Sequence, residues 1–187
     1  MPPIGEARIL VMATDGFEES ELLGPRAILM EQGADVRLAS PSLAPIQATV
    51  HDDPGKTIRP DLTIADAKVD DYDALLLPGG VRNPDALRKD KAAVALLKAF
   101  ADAGKPVAAI CHGPWLLVEA DVVRGRKVTS WHSIRTDLRN AGGDVVDEAA
   151  VTDGNIITSR KPEDVPAFTE ALIKLIEAAT STRSGQA

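Results

Sequence analysis

The stretch "KPVAAICHGPWLLVE", residues 105–119, decides how the rest of the chain is read. A short apolar run climbs to Cys111, and Gly113-Pro114 then opens a second apolar segment. Proline at the start of a helix loses nothing, because its missing N–H falls where helical donors are unpaired. The stretch therefore predicts a buried strand over 105–110, a tight turn at Cys111 and a helix over 113–121.

The same alternation recurs on both sides. "ARILVMA" (7–13) is a short apolar run ending in Thr14-Asp15-Gly16 and reads as a strand. A helix is predicted from Glu18 to about Gln32, closed by Gly33, with Pro25 starting or kinking it. "ADVRLAS" (34–40) and "YDALLLPGG" (72–80) are further strands. Between them, residues 46–64 alternate apolar and polar around Asp53-Pro54-Gly55 and read as a hairpin or excursion. Ala93, Leu96, Leu97 and Phe100 fall at helical spacing, and Gly104 ends that helix. Downstream come a short strand in "RKVTSW", a helix in "SIRTDLRNAG" and a pair of strands turning at Asp153-Gly154. Val165, Phe168, Leu172 and Ile176 give a last helix its stripe. Strands alternating with helices imply an α/β fold, a parallel sheet wrapped on both faces. One domain over residues 7–179 is expected, with flexible termini at 1–6 and 180–187.

Composition excludes several function classes. The chain has 187 residues, 44% hydrophobic and 26% charged, with a formal charge of −7. An acidic chain without a basic cluster is a poor partner for nucleic acid or anionic membranes. Aromatics at 3% leave no stacking surface for single strands. No stretch approaches the roughly 18 apolar residues of a membrane span, and the N-terminal residues show no secretion signal. A single cysteine forms no internal disulfide, so a free thiol in a reducing cytoplasm is expected. No G-x-G-x-x-G or G-x-x-x-x-G-K-[ST] follows a strand, and three scattered histidines make no convincing metal site. Neither a metal nor a cofactor is expected.

In a parallel sheet the reactive groups sit at the carboxyl ends of the strands. A residue thrust out between a strand and a helix occupies a nucleophile elbow. The helix start then favours thiolate, so the placement alone is expected to lower the Cys111 pKa. Gly80 and His112 could supply backbone N–H groups to a developing oxyanion. Against this stands the plainer reading of a lone cysteine as a small buried hydrophobe. His112 is adjacent in sequence, and its ring reaches the sulfur only if the elbow is strained. Read alone, Asp85 is a good first-turn residue of a helix, and Asp15, Glu18, Glu19 and Glu21 favour a helix N-terminus. Trp131 reads equally as pocket wall or half-buried core, and His51 as a solvated residue of the hairpin.

"AICHGPW" at an elbow, "LLLPGG" before it, "DGFEESEL" after the first strand and "VRGRKVTS" downstream resemble the ThiJ/PfpI superfamily. Within it the chain is similar to the PfpI-like intracellular protease branch, which also holds glyoxalases and deglycases. The resemblance runs from about residue 7 to 177. It implies a flavodoxin-like, glutamine amidotransferase-like sheet with Cys111 as nucleophile and His112 as its base. It also implies an acidic residue from a neighbouring subunit, here Asp85, shorter than the glutamate of some relatives, and hence a homodimer or higher oligomer. Glu21 would hydrogen-bond the thiol, with Glu18 as second choice, and Gly79, Trp131 and His132 would border the pocket. The implied substrates are reactive dicarbonyls, their protein adducts or peptides. The alternative is a redox sensor with an oxidisable Cys111. A glutamine amidotransferase would need a downstream His-x-Glu, whereas His132 is followed by Ser133 and Ile134.

Overall fold

The computed structural model describes residues 2–184, with side chains as far as residue 178. In chain order the strands and helices are β1 (Arg8–Met12), β2 (Phe17–Glu18), α1 (Glu19–Glu31), β3 (Asp35–Ser40), β4 (Ile46–Val50), β5 (Asp53–Ile58), β6 (Leu62–Thr63), β7 (Ala74–Leu77), α2 (Arg82–Leu87), α3 (Lys91–Asp102), β8 (Val107–Ile110), α4 (Pro114–Glu119), β9 (Lys127–Val128), α5 (Arg135–Asn140), β10 (Asp144–Val145), β11 (Ala150–Asp153), β12 (Ile156–Ser159) and α6 (Val165–Ser184). The main sheet has the order β11-β12-β8-β7-β1-β3-β6. Its pairings are parallel except β11 with β12. The fold is thus α/β, a mostly parallel sheet flanked by helices.

Strand alternation divides the core into two layers. Ile9 and Val11 of β1 point to one face, with Leu22 and Leu29 of α1 and Phe168, Leu172 and Ile176 of α6. Leu10 and Met12 point to the other, with Leu97 and Phe100 of α3, Leu117 of α4 and Leu138 of α5. All four residues of β7 and of β8 are buried, as expected of strands covered on both faces. Strand order reverses between β7 and β1. A crevice forms at such a switch, outside the carboxyl ends of the strands.

The structure departs from the sequence expectations locally. Pro25 lies inside α1 rather than at its start. The hairpin turns at His51-Asp52, with Val50 opposite Asp53, so Pro54 and Gly55 lie in β5 and not in the turn. Phe17–Glu18 forms a small parallel strand on β4, making a three-stranded sheet beside the main one. "GDVVDEAAVTDGNIITS" holds three strands, the first of them pairing with β9 in a separate ribbon. Ile4–Glu6 forms a 3-10 turn with Ile4 buried, and α6 continues to Ser184. Of the expected flexible ends, residues 1 and 185–187 lie outside the described residues. Among the described residues no helix is long and apolar enough to cross a membrane.

Candidate active site

Cys111 follows β8 directly and has φ +64°, a left-handed backbone that a non-glycine residue adopts only under tertiary constraint. Its backbone is tied on both sides. Its N–H donates to the Ser159 carbonyl at 3.1 Å, and its carbonyl accepts from Trp131 N–H at 2.9 Å. Gly113 permits the turn, because a Cβ there would stand 2.7 Å from the Leu77 carbonyl oxygen. The strain turns the neighbouring side chains toward one another. His112 Nδ1 lies 3.2 Å from Cys111 Sγ. The imidazole is held between Trp115, edge-on at 5.3 Å, and Trp131, stacked at 6.1 Å. Its Nε2 is 3.5 Å from Ser133 Oγ.

Beneath the sulfur lies Glu21, the third residue of α1 and fully buried. Its Oε2 accepts from Gly79 N–H at 2.9 Å, and its side chain pairs with the thiol. Oε1 is sealed from solvent and takes no hydrogen-bond partner. The two glycines of the β7 turn have no room for side chains. A Cβ on Gly79 would meet Glu21 Oε2 at 2.5 Å and Cys111 Cβ at 2.7 Å. Gly80, at φ +75°, would meet the Gly16 carbonyl. Buried Asn83 braces this turn. Its Nδ2 donates to the Pro78 and Gly79 carbonyls at 3.0 Å, and its Oδ1 accepts from Thr14 N–H at 2.8 Å.

Charge states follow from burial. Desolvation, opposed by the Gly79 N–H bond, pushes the Glu21 carboxyl up to about 8, so it is protonated at neutral pH. Desolvation and the nearby His132 lower His112 to about 4, so its imidazole is neutral. Burial, then the charge of Glu21 and its hydrogen bond, hold the Cys111 thiol above its ordinary range. The backbone N–H groups of His112 and Gly80 oppose that rise. The expectation of a low thiol pKa from placement alone is therefore corrected. Cys111 is only 6% exposed, and desolvation outweighs the end of the six-residue helix α4. With Glu21 neutral, its charge no longer opposes thiolate, and its proton is available to stabilise one. Cys111 and Glu21 titrate as a coupled pair.

The sulfur faces a pocket of about 480 Å³. Of the residues singled out in the sequence, Cys111, His112, Glu21, Glu18, Gly80 and Trp131 line it, and Gly79 closes its floor through Glu21. The N–H groups of Gly80 and His112 are directed at the sulfur itself. Two candidates stand apart. His132 is exposed and borders a different pocket with Arg135 and Arg160, because the 3-10 turn after Trp131 carries it to the far side of that ring. Asp85 is exposed on α2 in a groove with Arg88, Lys91 and Glu119, away from His112 of its own chain. Sequence reasoning missed Asp52, Val81, Ser133, Pro162 and Glu163, and placed His51 only in solvent, although it rims the pocket. Applying the strand-end rule to β12 would have pointed to the segment holding Pro162 and Glu163.

A family model described as the DJ-1/PfpI family matches residues 7–175. A deglycase of Thermococcus kodakarensis is 41% identical over 169 residues, covering 90% of this chain and 99% of that protein. Deglycase PfpI of Pyrococcus furiosus is 39% identical over 170 residues, covering 91% and 99%. The crystal structure of Drosophila melanogaster DJ-1beta superposes with a TM-score of 0.84 at 29% identity, covering 91% of this chain and 90% of that one.

Proposed function

The chain belongs to the DJ-1/PfpI family, and from that premise we propose that it is a cysteine-dependent, cofactor-independent glyoxalase or deglycase acting through Cys111. The observation that carries the reading is the buried triplet at the elbow. A thiol, a neutral imidazole 3.2 Å away and a protonated carboxyl meet at the floor of one open pocket. The relatives named deglycases support enzymatic activity of this kind.

The steps follow from the charge states. The Cys111 sulfur adds to the aldehyde carbon of a dicarbonyl such as methylglyoxal, and its proton passes to the carbonyl oxygen. The product is a hemithioacetal. His112, neutral and basic at Nδ1, takes the proton from that carbon, and a proton is returned to the adjacent carbonyl carbon, with Glu21 able to relay it. The resulting lactoyl thioester is cleaved by water, which releases lactate and restores the thiol. No electrons leave the substrate, so no redox partner is required. An adduct on an amine enters the same path when sulfur displaces the amine, which departs with the thiol proton.

Peptide hydrolysis fits less well. The pocket of about 480 Å³ suits a small group better than an extended peptide. The proposal includes a cytoplasmic setting, which keeps the sole thiol reduced. It also includes a homodimer or larger assembly in which Asp85 of the partner subunit reaches His112.

The test offers methylglyoxal, a glycated peptide and an unmodified peptide side by side to the purified protein and to Cys111→Ser. The protein should turn over the first two and leave the third intact, and Cys111→Ser should lose at least ~10³-fold in rate. One equivalent of reagent consumed per thiol, without cycling, would favour the redox sensor. Full activity in the serine variant would remove the mechanism.

A further inference from the structure

The cleft in front of Cys111 does not end at the reactive pocket. A second lobe of about 500 Å³ shares Glu18, His51, Pro162 and Glu163 with it and continues to Glu19 and Lys56. The charges along this cleft are one-sided. Glu18, Asp52 and Glu163 line the reactive pocket, and no lysine or arginine is among its lining residues. In the outer lobe Lys56 is held by Glu19 at 3.5 Å. Glu18 is only 7% exposed, and its Oε2 accepts the His51 N–H at 3.0 Å. Glu21, fully buried in the wall of the same pocket, leaves Oε1 without a partner. A buried polar atom left without a partner is costly unless a ligand supplies one. After burial and its own hydrogen bond to Gly79, the charges acting on Glu21 are those of Glu18 and Glu163.

Resting on the carbonyl chemistry proposed above, we infer that this two-lobed acidic cleft selects carbonyl adducts set within basic peptide segments and rejects carbonyls that bear a carboxylate. An ammonium or guanidinium beside the adduct gives Glu18 a counter-charge, and the adduct's hydroxyl brings a hydrogen-bond partner to Glu21 Oε1. The outer lobe then accepts the next residue of the peptide between Glu19 and Glu163. An α-oxo acid brings a carboxylate against Glu18, Asp52 and Glu163 at once, in a cleft where low-dielectric walls strengthen the repulsion. Uncharged methylglyoxal is neither attracted nor repelled.

Cys111 is the only cysteine, so its modification rate reports the potential at the site. The test compares a trimethylammonium-bearing with a sulfonate-bearing methanethiosulfonate. In both, the thiolate forms a disulfide with the reagent's sulfenyl sulfur, and methanesulfinate leaves with the electron pair of the broken bond. Normalised to 2-mercaptoethanol, the cationic reagent should react faster by about tenfold or more at low salt. Glu18→Gln and the exposed Glu163→Gln should each shrink that ratio several-fold, as should added salt. A normalised ratio of one or below overturns the inference, and so does a ratio that neither variant changes. A second arm follows release of lactate from a methylglyoxal adduct on a lysine- and arginine-rich peptide and from the same adduct on a glutamate-flanked peptide. Preference for the basic peptide supports the selection. Equal turnover of both peptides sinks it while the carbonyl chemistry stands. A charge ratio of tenfold with no turnover of any substrate keeps the electrostatic selection and removes the proposed reaction.

Discussion

Trp131 divides two pockets that treat charge in opposite ways. On one side lie Cys111 and Glu21, with a strained backbone, a raised carboxyl and a buried carboxyl oxygen that has no partner. On the other, a pocket of about 240 Å³ is bordered by His132, Arg135, Asp147, Arg160 and Lys161. There the charges are matched. Asp147 takes Arg135 at 2.7 Å and Arg160 at 2.9 Å, and Arg160 takes Asp164 at 2.8 Å. Hydrogen bonds to Arg160 and Arg135 hold the exposed Asp147 carboxyl below its usual range. These ion pairs fasten the β12 loop to α5. An unsatisfied, desolvated network stores free energy that a substrate can release. The contrast assigns reactivity to one side of the ring and scaffolding to the other.

The largest effect that sharpens this contrast is expected at Glu21. Glu21→Gln keeps the bond to Gly79 but removes the mobile proton, and should cost about a hundredfold in kcat for methylglyoxal. The same variant changes the pH dependence of stability. In the wild type the Glu21 carboxyl rises from 4.5 to about 8 on folding, so the native state binds more protons than the unfolded chain across that window, and stability falls as pH rises through it. His112, lowered from 6.5 to about 4, acts in the opposite sense between those two values. The two offset each other below about 6.5, and Glu21 acts alone from there to about 8. Thermal melts should therefore show Tm falling across pH 6.5 to 8 in the wild type and staying nearly flat in Glu21→Gln; equal slopes would remove the buried neutral carboxyl from the account.

A smaller effect is expected at Asn83, which clamps the Pro78-Gly79-Gly80 turn without touching the pocket. Asn83→Ala removes the bonds to Thr14 N–H and the Pro78 and Gly79 carbonyls, of which Gly79 keeps only the long bond from Glu18 N–H, and should cost about 1–3 kcal/mol in denaturant unfolding. The smallest belongs to the other side of Trp131. Asp147→Asn should barely shift the denaturant midpoint, since the pairs are solvent-screened, and leave kcat within about twofold. A large loss of activity there would break the division drawn at the ring.

Much of this was legible in the sequence, for a physical reason. Residues buried on both faces of a sheet must be apolar, so β1, β7 and β8 announced themselves as runs, and the turn at Cys111 followed from Gly113-Pro114. The hairpin was misplaced because Pro54-Gly55 carries a turn signature yet sits in an edge strand. Gly55 packs closely on β4, where a Cβ would stand 3.1 Å from Ala48 Cβ and 3.3 Å from Val50 Cγ2. The actual turn uses His51 at φ +56°, which no local pattern marks. Glu21 was separable from its acidic neighbours only by resemblance, because burial depends on how α1 packs and not on its composition. Ser133, Pro162 and Glu163 reach the pocket from loops whose neighbours in space lie far away in the chain. The thiol's raised pKa was hidden for the same reason. A helix start is visible in sequence, while desolvation by distant segments is not.

The central claim is that all turnover passes through the one sulfur at the elbow, and its solitude permits a direct measurement. Increasing amounts of iodoacetamide alkylate the protein partially, the modified fraction is read by intact mass, and methylglyoxal turnover is measured on each sample. Activity should fall linearly with the modified fraction and reach zero at one carbamidomethyl group per chain. Activity that persists in fully alkylated protein would contradict the account.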